Sequence, residues 1–182
     1  MLSFSGFCVI LRNMKDDLQK RKPIRLKTFD YNTVGAYFIT ICTQSKKCIL
    51  SEIVGDGVLD IPKIILSKYG QIVNNRIIEM NSIYDDITVD KYIVMPNHLH
   101  MIIVVKNVNG MSRTPSPTNK AVPFFISTLK RLTNKESNTK LWQRSYYDHI
   151  IRNDEDYLNI WQYIESNPSK WQQDKYFNGE KQ

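Results

Sequence analysis

Apolar positions along the chain fall into two rhythms, and the change from one to the other marks the elements. Ala36-Tyr-Phe-Ile-Thr-Ile-Cys-Thr-Gln44 is β-branched and aromatic, which predicts a strand at the centre of a sheet. Cys48 to Leu59 carries Gly55-Asp56-Gly57 and reads as a small hairpin or loop. Pro62 then opens a helix at a position where its missing N–H does no harm. Ile65, Tyr69, Ile72, Val73 and Met80 recur at helical spacing to about residue 81, on a helix that packs on the sheet and carries no chemistry. Ile87–Met95 and His98–Lys106 are two adjacent strands, broken at Met95-Pro96-Asn97. Asn107 to Lys120, with Gly110, Pro115 and Pro117, reads as a flexible surface loop.

The second half continues in kind. Phe124–Lys135 predicts a helix with Phe125, Ile126, Leu129 and Leu132 inward and Lys130 and Arg131 outward. Leu141–Ile151 reads as extended, with Trp142, Arg144 and Tyr146 on one face and Gln143, Tyr147 and His149 on the other. Asn153 is an N-cap candidate, followed by Asp154, Glu155 and Asp156, where the helix dipole favours acids. That helix should stop near Asn167, because Pro168 cannot continue it. Tyr157, Ile160, Trp161 and Ile164 form its core-facing stripe, while Tyr163 lies roughly 110–120° away at 100° per residue. Asn167 is one turn further along on the same shoulder as Tyr163.

The order strand, helix, two strands, helix, extended segment, helix predicts an α+β fold. It is a single antiparallel sheet with packed helices on one or both faces, ferredoxin-like or RRM-like. The expected organisation is a basic, flexible arm over residues 1–27, one domain over 28–176 and a short tail over 177–182.

Charge narrows the partner. Lys plus Arg number 25 against 18 Asp plus Glu, a net +7, which makes an anionic partner such as nucleic acid worth considering. In residues 15–27, Arg21, Lys22 and Arg25 belong either to a solvated tail or to an arm that lies along phosphates. Cys8, Cys42 and Cys48 are odd in number and form no CxxC pair, which suits a reducing cytoplasm better than a disulfide scaffold. The apolar opening over residues 3–11 is too short to span a bilayer, and Met14 offers an alternative start.

Two of the three histidines, His98 and His100, share one strand face about 6–7 Å apart at their Cα atoms. They can grip one metal ion or stand as two ordinary imidazoles on a half-exposed face. A metal site needs a third ligand, and the closing helix offers an amide at Asn167 on the ridge that carries the Tyr163 hydroxyl.

Pro96-Asn-His-Leu-His100, after the strand Tyr92-Ile-Val-Met, resembles the His-hydrophobe-His motif of the HUH endonucleases. Gly35–Gln44 and Leu141–Asn153 resemble the flanking blocks of the REP-associated tyrosine transposases, and Tyr163-Ile-Glu-Ser-Asn-Pro168 resembles that family's final block. The resemblance runs from about residue 21 to 172. Classical insertion-sequence transposases of this fold usually place glutamine four residues after the tyrosine. Asn167 and the Trp-Gln-Arg block at 142–144 favour the REP-associated branch.

The resemblance implies that His98, His100 and Asn167 hold one divalent ion, Mg²⁺ or Mn²⁺, and that Tyr163 is the nucleophile toward single-stranded or hairpin DNA. It implies a 5′-phosphotyrosine intermediate, and a protein acting in the cytoplasm as a monomer or homodimer without a membrane. Tyr146 and Tyr147 are rival nucleophiles, better suited to shaping the substrate groove, as are Trp142 by stacking and Arg144 by phosphate contact. Lys130 and Arg131 are phosphate-contact candidates or a solvated helix face. Two other functions remain open from sequence. One is a non-catalytic binder of DNA or RNA hairpins. The other is a zinc hydrolase, to which Cys42 contributes only if its strand lies beside His98.

Overall fold

The computed structural model describes residues 34–55, 62–106, 121–177 and 179. Six strands and three α-helices follow in the order β1 (Gly35–Cys42), β2 (Ser51–Val54), β3 (Lys63–Leu66), α1 (Lys68–Ile83), β4 (Ile87–Val94), β5 (His98–Val105), α2 (Ala121–Ser137), β6 (Tyr147–Ile151) and α3 (Asp154–Ser166). A four-stranded antiparallel sheet in the order β4-β5-β1-β6 is flanked by a separate β2–β3 hairpin. This is the α+β architecture expected, with β1 central as its double-sided apolar sequence requires.

The period of two sorts β1 and β5 into two faces. Tyr37, Ile39 and Ile41 with Leu99, Met101 and Ile103 face α1 and α2 and form the main core with Val73, Ile77, Phe125, Leu129 and Trp142. Phe38 and Ile102 face α3, where Ile164 closes a smaller cluster. Register then sets the chemistry. Thr40 is opposite His100 and Cys42 opposite His98, all on the α3 face.

Two expectations about the elements need correction. Lys63–Leu66, Ile65 included, is the return strand of the hairpin rather than the first turn of a helix, and it alternates exposed and half-buried positions. Ser67 sets the helix start instead: its hydroxyl accepts from the Gly70 N–H at 3.2 Å and donates to the Ile49 carbonyl at 2.6 Å. Gly70 is required there, since a Cβ on it would sit 2.0 Å from the Leu50 carbonyl oxygen. Trp161 does not join the core stripe of α3. It is 37% exposed, with the Lys91 ammonium 4.0 Å from its ring centroid, and Ile164 is the buried centre of the stripe. Trp161 lies about 60° round the helix from Ile164, toward the β4 edge of the sheet, where a β4 side chain is what covers it.

The caps of α3 follow the sequence closely. Asn153 accepts from the Asp156 N–H at 2.8 Å, and the helix ends at Ser166 with Asn167 as its C-cap. The loop at 107–120, the arm with Arg21, Lys22 and Arg25, and the turn after Gly55 lie outside the described residues.

Candidate active site

The site is built from three pieces of chain. β5 presents His98 and His100, both fully buried, with their Nε2 atoms 3.0 Å apart. α3 places Tyr163 on the shoulder above them, its hydroxyl 3.3 Å from His100 Nε2. Pro168 then stops the helix, and a 3₁₀ segment over Pro168–Gln173 turns the chain back. Trp171 in that segment packs its ring 5.8 Å from His98, which delivers Asp174 to the histidine pair. Ligand atoms of His98, His100 and Asp174 all lie within 4.8 Å of one another.

Hydrogen bonds fix how the donors point. Asn97 is fully buried; its amide N–H donates to the Tyr176 carbonyl at 2.8 Å, so its oxygen accepts from His98 Nδ1 at 2.8 Å. His98 therefore carries its proton on Nδ1 and turns the Nε2 lone pair into the site. His100 Nδ1 lies 2.8 Å from the Thr40 hydroxyl, which can accept from it in the same sense. Asp174 accepts through one carboxylate oxygen from the Tyr163 hydroxyl at 3.2 Å and from the Asn167 amide at 3.0 Å. Asn167 is 2% exposed, and its side-chain oxygen is buried without a partner.

Burial sets the protonation states. His98 is lowered to about 4, chiefly by desolvation, with Asp174 opposing and Lys175 and Lys46 adding to the shift. His100 falls well below its usual value for the same reason, helped by its neighbour His98. Both imidazoles are thus neutral near pH 7, the form that ligates metals. The Tyr163 phenol is pushed well above its usual value by burial and by the Asp174 carboxylate, with the Asn167 amide acting weakly the other way.

This arrangement fits a divalent ion. Lone pairs aimed at each other 3.0 Å apart repel unless a proton or cation lies between them, and the orphaned Asn167 oxygen lacks the partner a buried amide requires. The donors are two imidazoles, a carboxylate and an amide oxygen, a mixed nitrogen and oxygen set of the kind that holds divalent ions. Cys42 does lie beside His98 in register, but the clustered donors are His98, His100 and Asp174 without it.

Of the residues singled out from sequence, His98, His100, Tyr163 and Asn167 are brought together within one chain. Others are placed elsewhere. Trp142 is 2% exposed in the main core and donates its indole N–H to Thr133 at 2.8 Å, so it offers no face for stacking on a base. The Lys130 ammonium donates to the Gln143 and Ser145 carbonyls at 2.9 and 3.1 Å and clamps that segment instead of projecting outward. Arg131 and Arg144 are exposed. His149 pairs with Asp156 in the first turn of α3 at 2.9 Å. Asp174 was missed by sequence reasoning because it follows the helix-stopping proline. Its signal was an acid seven residues after Asn167, beside Tyr176 and Phe177.

Comparison with known proteins gives the same direction. No family model matches the chain. An uncharacterized protein of Haemophilus influenzae is 30% identical over 176 residues, covering 88% of this chain and 94% of that protein. A second Haemophilus influenzae protein, named "Putative REP-associated tyrosine transposase", is 22% identical over 147 residues, covering 78% of this chain and 74% of that protein. A solved structure of a REP-associated tyrosine transposase bound to a REP hairpin shares the fold, with a TM-score of 0.57 and 19% identity over 82% of this chain and 74% of that one. No helix among the described residues is long and apolar enough to cross a membrane. Sequence and fold together place the chain in one family with its 30%-identical Haemophilus relative, among the relatives of the REP-associated tyrosine transposases.

Proposed function

We propose that the protein is a metal-dependent single-stranded DNA endonuclease and strand transferase that acts through a covalent 5′-phosphotyrosine intermediate on hairpin-forming repeat DNA. One observation carries this reading: the Tyr163 hydroxyl, the Asn167 amide and the Asp174 carboxylate meet the His98/His100 pair within one chain, with the phenol 3.3 Å from an imidazole nitrogen. The hairpin substrate is carried over from the solved relative, whose own partner is a REP hairpin.

A phenol with a pKa near 10 is a weak nucleophile at neutral pH, and burial beside a carboxylate weakens its acidity further. A divalent ion held by His98, His100, Asn167 and Asp174 would supply the positive charge that favours the phenolate and the phosphorane-like transition state. Asp174 is hydrogen-bonded to the hydroxyl and is placed to take its proton. Tyr163 oxygen forms the bond to phosphorus, the bond from phosphorus to the 3′ oxygen breaks, and that oxygen leaves as a 3′ hydroxyl by taking up one proton from solvent, which balances the one given to Asp174. A second 3′ hydroxyl reverses the exchange and frees the tyrosine, so joining needs no nucleotide energy source. Three cysteines, odd in number and with no CxxC pair, support a cytoplasmic setting.

The test is adduct formation between the full chain and a hairpin oligonucleotide in Mn²⁺, read by a denaturing gel shift. The wild type gives the adduct, and chelation and Tyr163→Phe each abolish it. An adduct that survives Tyr163→Phe moves the nucleophile to Tyr146 or Tyr147. Hairpin affinity indifferent to chelator, with no cleavage in any metal, leaves a non-catalytic binder.

A further inference from the structure

Beside the histidine pair lies a cleft of about 370 Å³ whose lining divides by chemistry. Phe38, Tyr147 and Tyr163 are aromatic, Lys170 and Lys175 are basic, and Asp174 marks the end nearest the histidines. Tyr147 opens β6, the edge strand of the sheet, and is 42% exposed. It lies in one row across the sheet with Thr40 and His100, because Thr40 pairs with both. Two strand spacings separate it from His100, about 10 Å. Phe38 stands edge-on between the two tyrosines, its centroid 6.5 Å from Tyr147 and 6.0 Å from Tyr163, and being 7% exposed it is a fixed support. The Lys175 ammonium is 5.1 Å from the centroid of the Tyr147 ring.

We propose that Tyr147 is the platform on which one base of single-stranded DNA stacks next to Tyr163, with Lys175 and Lys170 receiving the phosphates that flank it. The proposal rests on the reading that Tyr163 faces a DNA phosphodiester. An exposed tyrosine presents a broad apolar face at little cost in side-chain entropy, and base stacking on such a face is tolerant of sequence. The cleft is continuous with the nucleophile, since Tyr163 forms part of its wall. Its exposed cations match a chain of net charge +7 and draw in the phosphates that a stacked base carries on either side. The two tyrosines then divide the work between them. Tyr163 reacts through its hydroxyl, whereas Tyr147 acts through the face of its ring and its hydroxyl takes no part.

The experiment uses the full chain in chelator and a hairpin with a single-stranded extension, 2-aminopurine being moved through the extension one position at a time. One position, or two adjacent ones, should be quenched on binding. Tyr147→Phe should keep both the quench and, with Mn²⁺, the covalent adduct. Tyr147→Ala should lose the quench and bind the extended oligonucleotide roughly ten-fold more weakly, while a hairpin without the extension binds as before. Lys175→Gln should lower the slope of log affinity against log salt by about one. A quench that survives Tyr147→Ala, or equal weakening of both oligonucleotides, overturns the platform. Failure of the underlying reading looks different: the wild type binds neither oligonucleotide, or Tyr163→Phe still forms the adduct.

Discussion

The two faces of the sheet are made by alternate residues of the same two strands, yet they do opposite work. On the α1/α2 side, Tyr37, Ile39 and Ile41 meet Leu99, Met101 and Ile103 in a continuous apolar core. On the α3 side, Phe38 and Ile102 are the buried apolar residues, with Ala36 and Val104 partly buried beside them, and Thr40, His98 and His100 are buried polar groups. Each buried large apolar side chain stabilises the fold by about 1.5–3 kcal/mol. A buried imidazole returns little unless its nitrogens are satisfied. Stability is thus concentrated on one face, leaving the other free to hold groups that are poor for packing and good for binding a cation.

His100 and Met101 are the sharpest pair with which to break that contrast, being neighbours on β5 that point to opposite faces. Met101→Ala should lower unfolding stability by about 2–5 kcal/mol and leave Mn²⁺ affinity unchanged. His100→Ala should abolish Mn²⁺ binding, read by calorimetry or electron paramagnetic resonance, at a smaller cost in stability. If the two variants lost stability equally and both bound the ion, the division between faces would be wrong.

A finer test stays on the α3 face. Thr40 is 1% exposed and its hydroxyl holds His100 Nδ1. Thr40→Val keeps the shape but removes that partner, and outer-sphere partners of metal-binding histidines typically contribute 10–100-fold in affinity. Weaker Mn²⁺ binding in that range is expected, with Thr40→Ser restoring it. Unaltered binding would mean that packing alone orients the ring.

The same contrast explains what the sequence made legible. The strands of the sheet, the cap at Asn153 and the stop at Pro168 follow from period, side-chain hydrogen bonding and a missing N–H, all of them local. His98 with His100, and Tyr163 with Asn167, were visible as pairs at a fixed spacing within one element, and the resemblance to the REP-associated tyrosine transposases joined the two pairs into one site. What failed was non-local. Trp142 shares a face with Arg144 on paper, but a bridge to Thr43 and a bond to Thr133 draw it into the core. Lys130 has an outward helical phase, yet the returning 143–145 segment supplies carbonyls for its ammonium. Asp174 depends on a reversal of the chain after Pro168, which no periodicity records.

Acid titration should distinguish the faces with the smallest effect. In the folded, metal-free protein His98 is lowered to about 4 and His100 lies well below its usual value, whereas an unfolded histidine titrates near 6.5. Between those limits the unfolded chain binds more protons than the folded one, so stability rises with pH across that window. The contribution is fully present above about pH 7 and is lost progressively as pH falls from about 6.5 toward 4. Denaturation midpoints measured in chelator should show this slope in the wild type. Met101→Ala should shift the curve down without changing its shape, because its apolar neighbours in the main core do not titrate in that window. Replacing both histidines by glutamine should flatten it between pH 4 and 6.5. A wild-type curve already flat there would mean that the imidazoles are as easily protonated folded as unfolded, and that the α3 face is open to water when no ion is bound.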